Sequence, residues 1–544
     1  MKSESSVLRD FTVNSRVWLL SSVAFVIGIG ATFLAVVLLR LIALSTNLFY
    51  YHRFSFVSVS PAGSSLGYWM FFVPVIGGLV VGLMARFGSD KIRGHGIPEA
   101  IEAILLNRAR VDPKIAILKP ISAAISIGSG GPFGAEGPII MTGGAFGSLI
   151  AQWIRLTDAE RTTLLVAGAA AGMSATFATP IAAILLAVEL LLFEWRPRSL
   201  VPVAIASVTA AILRGYLLGE GPLFQMPAVG GVDRIPFAAG ALILGVVVGL
   251  IAAGMSRMMY AFEDLFERLP VHWMWWPALG GIGVGVGGLF FPRGLGVGYD
   301  NIAELLRGDA PIALIVGILL AKSLMWAFSL GSGTSGGVLA PLLMIGGAVG
   351  AMAGHLAHAP AEVQAFWALI GMGAMLAGSL GVPMTAILFS LEVTHCLPAL
   401  VPLALGCVTA HLVTALLMPR SILTEKLSRR GYHLTREYGV DPLEIVIVKD
   451  LMSPVPHVSS VEKDALPELF VYADGTCRGA AELMAAEGIA SLAVVNRASQ
   501  RISGTITIQD LLKGRNKAVV RETERLRLGS HSKDAESFEA AGSA

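Results

Sequence analysis

One stretch of this 544-residue chain occurs twice, and the second copy constrains how the first can fold. Ser126–Gly147 reads SIGSGGPFGAEGPIIMTGGAFG, and Ser329–Gly350 reads SLGSGTSGGVLAPLLMIGGAVG. Eleven of the 22 aligned positions are identical without a gap, at an offset of 203 (329 − 126). The same offset carries Pro180 onto Pro383 and Glu189 onto Glu392, setting PIAAILLAVEL against PMTAILFSLEV. Close packing of membrane helices favours small residues and accounts for scattered matching glycines. It does not account for a proline and an acid kept at one offset further downstream. The chain therefore reads as two related halves.

Composition places those halves in a bilayer. Charged residues make up 14% of the chain, against about 25% in soluble domains, and the mean hydropathy is +0.71. Charge-free runs recur at Val17–Leu39, Thr162–Val188, Ile235–Ser256, Val363–Leu391 and Cys396–Pro419. At about 20 residues per span, the window from Val17 to Pro419 has room for well over ten. Nothing after Val17–Leu39 resembles a cleavage site, so that run is read as a span. After Leu423 the chain becomes polar, with Arg429, Arg430, Asp441 and Glu444, and from roughly Gly529 it has the composition of a disordered tail. The organisation read from this is an N-terminal segment (1–16), a first membrane repeat (17–220), a second (221–430), a small soluble domain (431–528) and a tail (529–544).

The same numbers exclude several functions. A net charge of +2 is too balanced for a nucleic-acid partner. Cys396, Cys407 and Cys477 suggest neither a disulfide framework nor a metal site. No paired acids, nucleophile–base set or metal cluster points to an intramembrane enzyme. A receptor or scaffold is disfavoured as well, because helix breaks inside a bilayer cost stability without serving it.

Those breaks carry the functional signal. Gly94-His95-Gly96-Ile97-Pro98, Gly134-Ala135-Glu136-Gly137-Pro138 and Gly337-Val338-Leu339-Ala340-Pro341 each place glycines before a proline. Proline suits the first turn of a helix, and the upstream glycines let the backbone curl into it. The predicted product is a helix N-terminus inside the membrane, with free N–H groups and the positive end of the dipole. Several such ends converging bind an anion through partial charges and still release it. Glu136, a carboxylate between glycines in an apolar stretch, is the first functional candidate; the bland alternative is an acid satisfied by neighbouring N–H groups.

These residues resemble the CLC family of chloride channels and chloride/proton exchangers, in which the three segments read GSGIP, GREGP or GKEGP, and GxFxP. Here they read GHGIP (94–98), GAEGP (134–138) and GVLAP (337–341). GAAAGMSATFATP (168–180), GIPEAIEAIL and Lys119 extend the match over the membrane region. The resemblance implies an all-α polytopic membrane fold, an inverted repeat with broken and re-entrant helices. It also implies a homodimer with one chloride pathway per subunit, set in the inner (plasma) membrane with both termini cytoplasmic. Glu136 becomes the gating residue, whose carboxylate competes with the anion. Gly94, His95, Gly96, Ile97, Pro98, Gly134, Ala135, Gly137, Val338, Leu339, Ala340 and Leu423 become the anion-binding positions.

The departures are as informative. His95 replaces the serine of GSGIP, and Leu423 falls where the family carries a pore-lining tyrosine, so two hydroxyls are missing. His95 has two open readings, an N–H donor to the anion or a ring turned away from it. Ala135 replaces the basic residue before the glutamate, and Leu339 the Phe of GxFxP. Leu190 stands where exchangers of the family carry a second, proton-passing glutamate. The expectation is channel-like or uncoupled chloride transport gated by Glu136; the alternatives are coupled chloride/proton antiport and fluoride export. Glu189 and Glu392 are read as structural acids at helix ends. In the tail, VIVKDLMSPVPHVSS and GAAELMAAEGIASLAVVNRASQRISGTITIQDLL resemble a small α/β CBS domain. Thr507 and Asp510 are spaced like a ribose-binding pair, a weak indication of a nucleotide; otherwise no cofactor or metal is expected, only chloride as a bound ion.

Overall fold

The computed structural model describes residues 15–231, 235–432, 441–454 and 467–516. The expected N-terminal segment, up to residue 14, and the expected disordered tail lie outside the described residues. The chain divides into two compact units, the second holding the described residues from 441 onwards.

The large unit is helical throughout. Its first half runs α1 (Arg16–Tyr51), α2 (Phe72–Phe87), α3 (Ile97–Leu105), α4 (Pro113–Gly128), α5 (Glu136–Gln152), α6 (Asp158–Phe177), α7 (Pro180–Leu186) and α8 (Pro197–Leu218). Its second half runs α9 (Ile235–Glu267), α10 (Trp276–Phe290), α11 (Tyr299–Arg307), α12 (Ile312–Gly317), α13 (Ser323–Gly331), α14 (Leu339–Leu356), α15 (Ala361–Leu380), α16 (Pro383–Thr394) and α17 (Leu400–Leu417), followed by α18 (Ile422–Arg429). Glu136, Asp158, Pro180 and Pro197 open helices whose mates open at Leu339, Ala361, Pro383 and Leu400, each 203 residues on. The repeat seen in the motifs is thus a repeat of architecture.

Contacts between the halves are reciprocated, as a two-fold relation requires. The Glu189 carboxylate accepts from the N–H groups of Met384 (3.2 Å) and Thr385 (2.8 Å), and Glu392 accepts from those of Ile181 (3.0 Å) and Ala182 (2.8 Å). Each acid caps the proline-initiated helix of the other half, α16 or α7. Two orphan donors at each helix start gain an anionic acceptor, worth on the order of 1 kcal/mol per cap. Packing is equally matched. A Cβ on Gly143 would lie 2.3 Å from the Gly168 oxygen, and one on Gly346 would lie 2.3 Å from the Gly371 oxygen. Glycine pairs therefore let α5 close on α6 and α14 on α15.

Eight helices among the described residues are long and apolar enough to cross a membrane, fewer than the length of the apolar window suggested. Several apolar helices, α4, α5 and α10 among them, have only 15 to 17 residues, and two further features add to the difference. α1, at 36 residues, is longer than one span requires. The runs Thr162–Val188 and Val363–Leu391 are each broken, at Ala178 (φ 58°) before Pro180 and at Gly381 (φ 71°) before Pro383. A left-handed residue followed by proline ends one helix and starts the next.

The small unit is an α/β fold. Its sheet has strand order β1-β4-β3-β2, with β1 (Ser453–Pro454), β2 (Phe470–Tyr472), β3 (Ser491–Asn496) and β4 (Arg501–Thr507). β2 and β3 are parallel, joined through the helix Cys477–Glu487; β3 and β4 are antiparallel. Val494, Ile506, Cys477, Ala480 and Met484 form its core.

Candidate functional site

The three glycine–proline segments meet at one point. Gly134 donates to the Gly337 oxygen (3.1 Å) and Gly337 to the Gly134 oxygen (2.8 Å), an antiparallel bridge joining the approaches to α5 and α14. The approach to α3 joins them: Gly94 donates to the Gly333 oxygen and Gly336 to the Gly94 oxygen, both at 3.4 Å. The His95 carbonyl lies against Gly137, where a Cβ would sit 1.8 Å from the oxygen. α18, which carries Leu423, packs on α3. Sequence positions up to 329 residues apart (423 − 94) are thereby gathered around one centre.

Glu136 occupies that centre and is fully buried. Its Oε1 accepts a hydrogen bond from the Tyr299 hydroxyl at 3.3 Å, and the Ala340 N–H also faces the carboxylate. Oε2 has no hydrogen-bond partner among the described residues and lies in the space that the missing side chains of Gly134 and Gly337 leave. An acid folded onto two helix starts occupies the place that converging N–H groups would offer an anion.

Free N–H groups were expected at every start, and the structure restricts them. The N–H of Gly96 is taken by Glu99 Oε2 at 2.9 Å, the acid's half of a capping box, since glycine has no side chain to answer it. The N–H groups of Gly94, Gly134 and Gly337, which precede the helices, are used in the loop-to-loop bonds above, so of the expected helix-start donors only that of Gly96 is shown to be taken among the described residues. The reason is general, since buried orphan donors find the nearest acceptor. Glu99 is itself held by Lys426 Nζ at 2.7 Å from its Oε1. Lys119, fully buried, donates to the oxygens of Ile92 (2.8 Å) and Gly94 (2.7 Å) and so fixes the loop before α3.

His95 is buried, and neither ring nitrogen has a hydrogen-bond partner among the described residues. Ile97, Pro98, Ala135, Val338, Leu339, Ala340 and Leu423 are all buried around the same starts, as apolar walls. Leu190 is buried in the π-helical turn Ala187–Leu192 and places no ionisable group at that position; the turn's one acid, Glu189, is engaged in capping α16. A cavity of about 500 Å³ opens beside Gly94 and Glu99. Its lining holds six basic residues (Lys91, Arg93, Arg110, Lys426, Arg429, Arg430) and six acidic ones (Asp90, Glu99, Glu102, Asp112, Glu263, Glu267), so it presents no net positive charge.

Tyr299, Glu99 and Lys426 were missed by the sequence reading. Glu99 had a signal, an acid at the third position of a helix whose cap is glycine. Tyr299 and Lys426 lie in segments without glycine–proline punctuation.

In the small unit, Thr507 and Asp510 bind one another. The Thr507 hydroxyl donates to Asp510 Oδ2 (2.7 Å), and the Asp510 N–H donates back to the hydroxyl (3.3 Å). This is a capping box for the helix from residue 508 and accounts for both side chains without a ribose. The Thr507 hydrogen bond holds the Asp510 carboxyl below its ordinary value of 3.8. A depressed folded-state value stabilises above the unfolded one, so the contribution is complete above about pH 3.8 and is lost as pH falls through the depressed value. Thr507→Val is expected to cost about 1 kcal/mol at neutral pH, read as faster amide exchange over residues 508–516 in the full-length protein. Unchanged exchange would remove the cap assignment.

The family model described as "Voltage gated chloride channel" matches residues 76–415. A putative chloride channel protein, ClcB-like, of Ralstonia nicotianae is 30% identical over 368 residues, 66% of this chain and 85% of that protein. The H(+)/Cl(-) exchange transporter ClcA of Citrobacter koseri is 30% identical over 365 residues, 64% of this chain and 75% of that one. Among solved structures, that of a slow cyanobacterial Cl-/H+ antiporter matches with a TM-score of 0.65 at 22% identity, covering 77% of this chain and 99% of that one.

Proposed function

The chain belongs to the voltage gated chloride channel family, membrane proteins that transport anions rather than catalyse reactions, and from that premise we propose that it exchanges chloride for protons, with Glu136 as both gate and proton carrier. The observation that carries the reading is the buried Glu136 carboxylate folded onto the joined starts of α5 and α14. As an anion it competes with chloride for that place; once protonated it loses the attraction that holds it there. One residue then links the two ions. Relatives named as H(+)/Cl(-) exchangers favour exchange over the channel-like expectation. We further propose that His95, buried with unpartnered nitrogens, donates an N–H to the anion where the family's serine would.

One observation favours a second reading. Leu190 puts a buried apolar side chain where a proton-passing acid would stand, which suits uncoupled, channel-like flux. Proteoliposomes with an imposed chloride gradient and no proton gradient separate the two. Exchange predicts uphill proton movement that stops when chloride equilibrates. Chloride flux without proton movement would overturn it and leave the uncoupled reading. Fluoride in place of chloride in the same assay tests the anion: chloride flux should be the larger, and the reverse order would make the protein a fluoride exporter. The homodimer is proposed with the family; particle mass in detergent checks it.

A further inference from the structure

The large unit contains a fourth positioned helix start that no proline marks. Gly296-Val297-Gly298-Tyr299 stands in the second half where Gly94-His95-Gly96-Ile97 stands in the first, 202 residues on (296 − 94). The glycines match in conformation, with φ of 76° and 91° at Gly94 and Gly96 and 68° and 80° at Gly296 and Gly298. Each loop is tied down by a buried lysine. Lys322, 203 residues after Lys119, donates to the oxygens of Gly294 (2.8 Å) and Gly296 (2.6 Å), as Lys119 does to Ile92 and Gly94. α11 is therefore the repeat mate of α3, held with the same care.

What differs is the residue at the first helical position, Ile97 in α3 and Tyr299 in α11. The Tyr299 hydroxyl donates to Glu136 Oε1. Its ring is fixed edge-on by Phe177, with centroids 6.3 Å apart, and by Phe224 at 6.1 Å. Phe177 is braced in turn by Phe389 at 5.4 Å. A tyrosine so confined keeps its hydroxyl within reach of the carboxylate, at a distance long for a strong bond but short enough to hold the acid in place.

We propose that Tyr299 is a positioning residue that latches the Glu136 carboxylate across the anion path and so sets how readily chloride displaces it. The inference rests on the gating reading of Glu136 and adds the group that holds the gate shut. Loss of the latch lets chloride win the competition at lower concentration, without creating a new site for it.

The test is a two-residue cycle in proteoliposomes, read as the chloride concentration giving half-maximal flux, which does not depend on how much protein has folded. Tyr299→Phe keeps the ring and should lower that concentration about three- to tenfold, the net worth of one ordinary hydrogen bond, as its 3.3 Å length suggests. In a Glu136→Ala background the same substitution should change nothing. An unchanged half-saturation for Tyr299→Phe beside intact Glu136 would overturn the latch. So would an equal shift in both backgrounds, because the hydroxyl would then act on the anion or on the fold. Should Glu136→Ala by itself leave flux and its pH dependence unaltered, the gate reading fails first, and this is visible without any Tyr299 variant.

Discussion

Glu136→Ala is expected to abolish proton movement while chloride flux persists, and to raise that flux at alkaline pH by at least about tenfold. The sign follows from competition. Whenever it is ionised, the Glu136 carboxylate, held by the Tyr299 hydroxyl and facing the Ala340 N–H, fills the place proposed for a permeant anion. Rising pH keeps it ionised, so native flux should fall as pH rises. Alanine has no charge to compete and no proton to carry, so the variant's flux should be flat with pH. The size corresponds to one hydrogen bond to an ionised group, about 1.5–3 kcal/mol, which is roughly ten- to a hundredfold in competition. Glu136→Gln, neutral and of nearly equal shape, separates charge from bulk. It should resemble the protonated native side chain and lose the pH dependence too. A Glu136→Ala protein that still drives protons uphill would end the assignment.

The repeat made much of this legible before any coordinates. An offset of 203 read from Pro180/Pro383 and Glu189/Glu392 predicts matched helices, and four helix starts keep it. The glycine–proline segments mark where α3, α5 and α14 begin, because proline and glycine declare their backbone needs locally. Tyr299 was not legible for the complementary reason. α11 begins without proline, and a tyrosine at a helix start looks the same whether it faces lipid or a carboxylate. The lysines show what one more use of the offset would have yielded: Lys119 was picked out, and 119 + 203 gives Lys322, the anchor of the loop that leads to Tyr299. Glu189 and Glu392 declared themselves as a pair, while their cross-capping of each other's half needs the two-fold relation to be seen. The joining of Gly134 to Gly337 likewise depends on that relation, since no local rule pairs two loops so far apart in the chain.

The convergence of three helix starts makes one glycine unusually intolerant. Gly137 lies in the first turn of α5 with no backbone strain of its own, so helix propensity alone would favour alanine there by about 1 kcal/mol. Packing decides the other way. A Cβ at this position would sit 1.8 Å from the His95 oxygen and 3.3 Å from the Gly337 Cα. His95 cannot give way cheaply, because its loop is bound on one side by Lys119 and on the other by Gly333 and Gly336. Gly137→Ala is therefore expected to destabilise the protein by about 3 kcal/mol or more and to lose most anion flux, because α3 must part from α5. Gly144→Ala on the same helix is the control. There a Cβ would meet the Leu165 side chain and the Leu165 oxygen at 3.4 and 3.5 Å, ordinary contacts, so that variant should be neutral or slightly stabilised. Thermal unfolding in detergent and flux in proteoliposomes report both. A Gly137→Ala protein as stable and active as the Gly144→Ala control would mean that the three starts do not need this close approach.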